Sequence, residues 1–288
     1  MRKTVFILMI FLAAEIFPQS GSSFQFELFP EGLNFFPLKA NYEEPRLGIQ
    51  YLTKTNDLKV DIGNSSDLLS FYFPKINGRL TFGVDFFAYA LATSYEGHRL
   101  QIDALDGFFG GNGSFTRKFE NSEMQIRLRI IHNSAHLVDG HYDFEEDDWM
   151  NGDKPLPYTR DFGELTVACL FPVNSIDIKL YGSVSYSTLV RPQMEKWLAN
   201  AGYEISVDSA FGKFFDKPVT PFLTTHFYLD GNPDYTFNSN TMLGVKIGDW
   251  RGKGVVFYFD YFNGYHYLSE YFLRREEQFG LGFFVEFN

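Results

Sequence analysis

Leu80-Thr81-Phe82-Gly83-Val84-Asp85-Phe86-Phe87-Ala88-Tyr89-Ala90 sets Leu80, Phe82, Val84, Phe86, Ala88 and Ala90 at alternate positions. In extended chain, successive side chains point to opposite faces, so this stretch shows one apolar row and one mixed row, as a half-buried strand does. The period recurs. Met124, Ile126, Leu128 and Ile130 alternate with Gln125, Arg127 and Arg129, and Ile176, Ile178, Leu180, Gly182 and Val184 alternate with Asp177, Lys179, Tyr181 and Ser183. Phe279, Leu281, Phe283, Val285 and Phe287 close the chain in the same way. The pattern predicts strands over 46–54, 56–66, 79–92, 97–108, 122–134, 161–171, 176–187, 203–211, 219–229, 241–249, 254–263 and 278–287, twelve in all. One stretch, 191–200, reads instead as a short loop helix, with Pro192 early and Gly202 just past its end.

Composition agrees with an all-β chain. Of 288 residues, 34 are Phe, 17 Tyr, 3 Trp and 25 Gly, a profile of aromatic strands separated by turns. The net charge of −11 leaves a nucleic-acid partner no basic footprint. Cys169, the single cysteine, rules out an intrachain disulfide, and no Cys/His spacing suits structural zinc. Residues 1–20 read as a secretory signal peptide: Arg2 and Lys3 precede an apolar run from Val5 to Ala14, too short to span a bilayer. Residues 21–45 are then expected as a periplasmic N-terminal segment and 46–288 as the folded body.

Connection lengths bear on whether that body lies in a membrane, because outer-membrane barrels join short periplasmic turns to longer outer loops. Short links at 172–175, 212–218 and 250–253 alternate with longer ones at 188–202, 230–240 and 264–277, and the acidic segment 139–160 falls outside. The Gly-rich link 109–121 is long for a periplasmic turn. Charged residues opposite the apolar rows, Arg127 and Arg129 among them, suit a lumen better than the surface of a soluble sandwich. In a barrel of this size such side chains fill the lumen, which favours pairing with facing carboxylates. The expectation is a transmembrane antiparallel β-barrel of about 12 strands in a bacterial outer membrane, with Phe82, Phe86, Phe279 and Phe283 facing lipid.

Two resemblances bear on this reading. Phe279-Gly280-Leu281-Gly282-Phe283-Phe284-Val285-Glu286-Phe287-Asn288 resembles the C-terminal sorting strand of outer-membrane barrels, implying the periplasmic barrel-assembly machinery as a partner; Asn288 after the aromatic residue departs from the usual pattern. His132-Asn133-Ser134-Ala135-His136-Leu137-Val138-Asp139, followed by Tyr158-Thr159-Arg160-Asp161 and accompanied by Leu28-Phe29-Pro30, Pro45-Arg46-Leu47 and Leu180-Tyr181-Gly182, resembles a family of bacterial outer-membrane barrels known only as a domain of unknown function. Thr159 and Asp161 stand where that family more often has Ser and Glu. The likeness would cover the chain from about residue 25 onward and implies fold and location, with no activity.

His132-x-Ser134 also resembles the His-x-Ser pair of outer-membrane phospholipase A and lipid A 3-O-deacylase. Residues i and i+2 share a strand face, so an imidazole there can take the serine proton. By parity both continue the outward row of Met124 to Ile130. A third group should orient the ring: Glu146 lies at the offset used in those enzymes, with Asp139 and Asp161 as alternatives. The plainer reading makes His132, Ser134, His136 and Arg160 a polar cluster at the barrel rim. The acidic loop of Asp139, Asp143, Glu145, Glu146, Asp147, Asp148 and Asp153 has oxygens enough for a divalent cation, such as one bridging lipopolysaccharide phosphates, but not the spacing of a calcium loop; a solvated surface is the plainer reading. No cofactor motif appears. The functional expectation is an outer-membrane barrel with a structural, adhesive or minor solute-passage role, the alternative being a serine-type acyl hydrolase of outer-leaflet phospholipid or lipid A.

Overall fold

The computed structural model describes residues 24–95, 99–231 and 234–287, so the expected signal peptide lies outside the described residues. The strands are β1 (Gln25–Leu28), β2 (Leu47–Leu52), β3 (Asp57–Phe73), β4 (Gly78–Tyr95), β5 (Arg99–Lys118), β6 (Glu123–Leu137), β7 (Tyr142–Asp143), β8 (Asp148–Trp149), β9 (Thr159–Val173), β10 (Ile176–Arg191), β11 (Trp197–Val207), β12 (Lys213–Phe214), β13 (Lys217–Gly231), β14 (Tyr235–Gly248), β15 (Gly254–Tyr265) and β16 (Arg275–Glu286). Twelve of them form an antiparallel barrel. Neighbours in space are neighbours in sequence, and β2 closes the ring by pairing with β3 on one side and β16 on the other. Closure leaves no open sheet edge in lipid.

All twelve expected strands are present, most of them longer than the apolar alternation alone marked. Backbone pairing continues beyond the point where one row stops being apolar. The Gly-rich link 109–121 is mostly strand, with β5 running to Lys118 and a turn at 119–122. The helix expected over 191–200 does not form: β10 ends at Arg191 and β11 begins at Trp197, whose residues pair in register with Tyr186 and its neighbours. Ladder pairing on both sides of β11 outweighs a weak local helix signal. The long outer links expected at 188–202 and 230–240 are largely strand too, so the asymmetry of the barrel ends rests mainly on 138–158 and 266–274.

The outward face is the apolar one. Phe82, Phe86, Phe279 and Phe283 are 46%, 70%, 56% and 42% exposed and point away from the barrel axis, as expected of a lipid-facing belt. The inward face is charged. Lys59, Asp61, Arg127, Arg129, Glu164, Lys179, Glu204 and Lys246 are all buried there.

The segment expected in the periplasm departs from that expectation. β1 pairs with Leu69–Tyr72 of β3, taking up the wall where β2 stops short, and between β1 and β2 the chain turns into the lumen. Within this plug, Asn34 N–H donates to Asp67 (2.8 Å), Lys39 N–H to Glu204 (2.7 Å) and Tyr42 N–H to the Tyr228 hydroxyl (3.0 Å). Lys39 Nζ reaches Glu286 at 2.7 Å. Buried polar groups need partners, and a charged lumen supplies them only to a segment that enters it. Nearer the other end, Phe87, Tyr89, Phe108, Ile131, Phe162 and Phe262 of the wall form an apolar cluster with Tyr267, Leu268 and Tyr271 of the 266–274 loop. The lumen is therefore filled from both directions.

Candidate functional site on the outward face

β6 carries no bulge in its pairing with β5 or β9, so strand parity holds along its whole length. Ile131, Asn133 and Ala135 are buried on the inner face, while His132, Ser134 and His136 lie on the outer one, near the end remote from the β16 terminus. β9 brings Asp161 into register with His132 and Thr159 into register with Ser134. The result is a contact between neighbouring strands: His132 Nδ1–H donates to Asp161 Oδ1 at 2.6 Å. The ring also packs on Phe109, with centroids 4.8 Å apart. A carboxylate on Nδ1 fixes the tautomer and leaves Nε2 as the basic nitrogen.

Ser134 lies two residues along the same face. No hydrogen bond joins its Oγ to the imidazole among the described residues; a serine hydroxyl swings between staggered rotamers, and catalytic contacts often tighten only around substrate. Opposite Ser134 on β5 stands Gly107, where an added Cβ would meet nothing nearer than the Ser134 carbonyl oxygen at 3.9 Å. The hydroxyl is thus unscreened from that side. Tyr186 and Trp197, cross-strand partners with ring centroids 4.8 Å apart, are exposed on this same outer face. Tyr186 is in register with Gly163, and Gly163 with Ile130, one outward step below His132. Paired Tyr and Trp at such a level mark the border between hydrocarbon and headgroups.

Of the three orienting groups considered from sequence, it is Asp161 that meets the ring. Glu146 is exposed in the 138–158 loop, where its N–H donates to Asp143 at 3.2 Å. The Asp139 side chain lies outside the described ones. Arg160 does not join a rim cluster with His136. Adjacent to an outward Asp161, it must point inward, and there it pairs with Glu43 of the plug and lies over the Phe162 ring at 4.3 Å. Arg127 and Arg129 face the lumen: Arg127 pairs with Glu44, and Arg129 holds Glu164 at 2.7 Å. Facing strands supply only part of this pairing. Glu43 and Glu44 come from the plug, which sequence reading missed because a segment without strand periodicity gives no facing.

The acidic loop is used locally. Asp143 accepts from Glu145 N–H at 2.9 Å, Asp147 accepts the Tyr142 hydroxyl at 2.7 Å and Asp148 accepts Trp149 N–H at 2.8 Å. Asp153 is turned away from these toward His141 Nε2 (3.0 Å) and Arg274.

No protein-family model matches the chain, and no curated protein sequence is similar to it. Three solved structures with a similar course of chain are outer-membrane β-barrels. Outer membrane phospholipase A from Escherichia coli is 11% identical, with 88% of this chain and 92% of that one covered and a TM-score of 0.48. The β domain of the Bordetella autotransporter Brka is 10% identical, with 83% and 96% covered and a TM-score of 0.43. The translocator domain of autotransporter NalP from Neisseria meningitidis is 10% identical, with 99% and 96% covered and a TM-score of 0.39. At such identity the likeness is one of fold and says nothing of activity.

Proposed function

We propose that this chain is a serine-type acyl hydrolase of the bacterial outer membrane, acting on ester-linked lipid of the outer leaflet through Ser134, His132 and Asp161. The observation that carries the reading is the His132–Asp161 contact on the lipid-facing side, two residues from a serine on the same face. In the reaction, His132 Nε2 takes the Ser134 proton as Oγ attacks the ester carbonyl carbon. Collapse of the tetrahedral intermediate expels the alcohol, which receives that proton from the imidazolium, and leaves an acyl-serine. Water, deprotonated by the same nitrogen, attacks the acyl carbon and releases the fatty acid, restoring Ser134. Asp161 keeps the ring in its tautomer and stabilises the imidazolium at each stage. His132 stands one outward step above the level of the Tyr186–Trp197 pair, a depth that suits lipid esters, which lie where hydrocarbon gives way to headgroups. Of the structural, adhesive and minor solute-passage roles that the sequence also allows, solute passage has the occupied lumen against it.

Ser134→Ala and His132→Ala should each lower fatty-acid release from detergent-dispersed phospholipid or lipid A by on the order of 10⁴-fold, with heat-modifiable gel mobility unchanged. A well-folded wild-type barrel that releases no fatty acid above background, with and without Ca²⁺, overturns the reading.

A further inference from the structure

The strand register that builds the proposed hydrolase site continues one strand further. β10 pairs with β9 so that Leu189 meets Asp161 and Arg191 meets Thr159, after a shift between Ser187 and Leu189. Because Thr159 is also in register with Ser134, one row across the outer face reads Ser134, Thr159, Arg191, and the row beneath it reads His132, Asp161, Leu189. Arg191 is exposed and makes no ion pair among the described residues. Thr159 between them adds no charge and donates its hydroxyl to Asn133 O at 3.3 Å. Asp161, the carboxylate diagonal to Arg191, is engaged by His132.

Resting on the hydrolase reading, we propose that Arg191 binds the phosphate of a glycerophospholipid whose ester carbonyl lies at Ser134. The substrates of the site are then phosphate-bearing diacyl lipids rather than neutral glycerides.

Three features support this assignment. The first is reach. Adjacent strands lie about 4.8 Å apart, so Ser134 and Arg191 are separated by roughly 10 Å of sheet, which a glycerol backbone and a guanidinium leaning back over Thr159 span together. The second is depth. Tyr186, on the same strand and outward face as Arg191, lies below it at the aromatic border, which puts the guanidinium on the headgroup side while the acyl chains run down the apolar belt. The third is chemistry. Arginine presents a planar fork that matches phosphate with two parallel hydrogen bonds, and in a partly dehydrated interface such a contact is stronger than in water.

The test compares the full-length protein with Arg191→Gln and Arg191→Lys on phosphatidylglycerol and on diacylglycerol bearing the same acyl chains in the same detergent. The readout is the ratio of the two kcat/KM values for fatty-acid release. Arg191→Gln should lower that ratio about tenfold or more, and Arg191→Lys, which keeps charge but not the fork, should lower it less. An unchanged ratio, or equal losses on both lipids, overturns the assignment. A second arm needs no turnover. In native mass spectra of Ser134→Ala, phosphatidylglycerol should be retained in preference to diacylglycerol, and adding Arg191→Gln should remove the preference. Retention that ignores Arg191 overturns the phosphate contact. Retention that depends on Arg191 beside an inactive wild type overturns the hydrolase and leaves the phosphate site standing.

Discussion

At the scale of single residues, strand parity and cross-strand register decide nearly everything about the candidate site. The sequence placed His132 and Ser134 on one outward face, because two residues along a strand return to the same side. It also contained the reason Arg160 cannot share a face with Asp161, since adjacent residues in a strand diverge. What it lacked was register. Glu146 was the first choice for the orienting group by its offset in sequence, whereas pairing of β6 with β9 selects Asp161. Gly107 is a second residue whose meaning comes only from register, standing opposite Ser134 with open space above it. Gly107→Leu adds a side chain that strains nothing in the backbone and covers the hydroxyl from the β5 side. Fatty-acid release should then fall by roughly 10²-fold, as expected when a reacting group is displaced or screened, with gel mobility unaltered. Undiminished release would show that lipid approaches Ser134 from elsewhere.

At the scale of elements, the 266–274 loop closes the barrel by apolar packing and carries a titration with a definite sign. His266 Nδ1 accepts the Leu268 N–H at 3.0 Å, a contact that requires the neutral ring. Burial, reinforced by the Arg274 charge, pushes the His266 imidazole down to about 3. An opened loop would take its proton near the ordinary value of about 6.5, so the closed form loses stability as the pH falls through 6.5 toward 3 and keeps it in full above that window. Burial raises the Glu270 carboxyl in the same loop, an effect of opposite sign, so the informative quantity is the difference between wild type and His266→Gln. Amides of 266–274, corrected for intrinsic rates, should lose protection between pH 7 and pH 4.5 by about 2 kcal/mol more in wild type than in the variant. Equal losses would assign the acid sensitivity to another group. The loop's existence was legible as a break in alternation. Its inward fold was not, because apart from Phe262 on the adjoining β15, Tyr267, Leu268 and Tyr271 find their apolar partners mainly on β4, β5, β6 and β9, far away in sequence.

At the scale of the whole molecule, the barrel is a wall around its own N-terminal segment. Glu44 of the plug sits against Arg127 and Arg129, Glu43 against Arg160, and Lys39 against Glu286, so opposite charges of lumen and plug neutralise one another in a space closed to bulk water. The intact protein should therefore show no stepwise conductance in planar bilayers, whereas removal of residues 30–46 should open ion-conducting steps through a charged lumen. A conducting intact barrel would contradict a sealed lumen. The sequence by itself determined the strand count, the antiparallel order, the lipid-facing rows and the pairing of His132 with Ser134 on one side, because each follows from a period of two that is local to the chain. Tertiary structure alone decided that 30–46 fills the lumen, that Asp161 rather than Glu146 meets His132, and that Arg191 shares a row with Ser134. These depend on register across strands and on charges brought together from distant parts of the chain, and periodicity within one segment specifies the face of a side chain but not the partner opposite it.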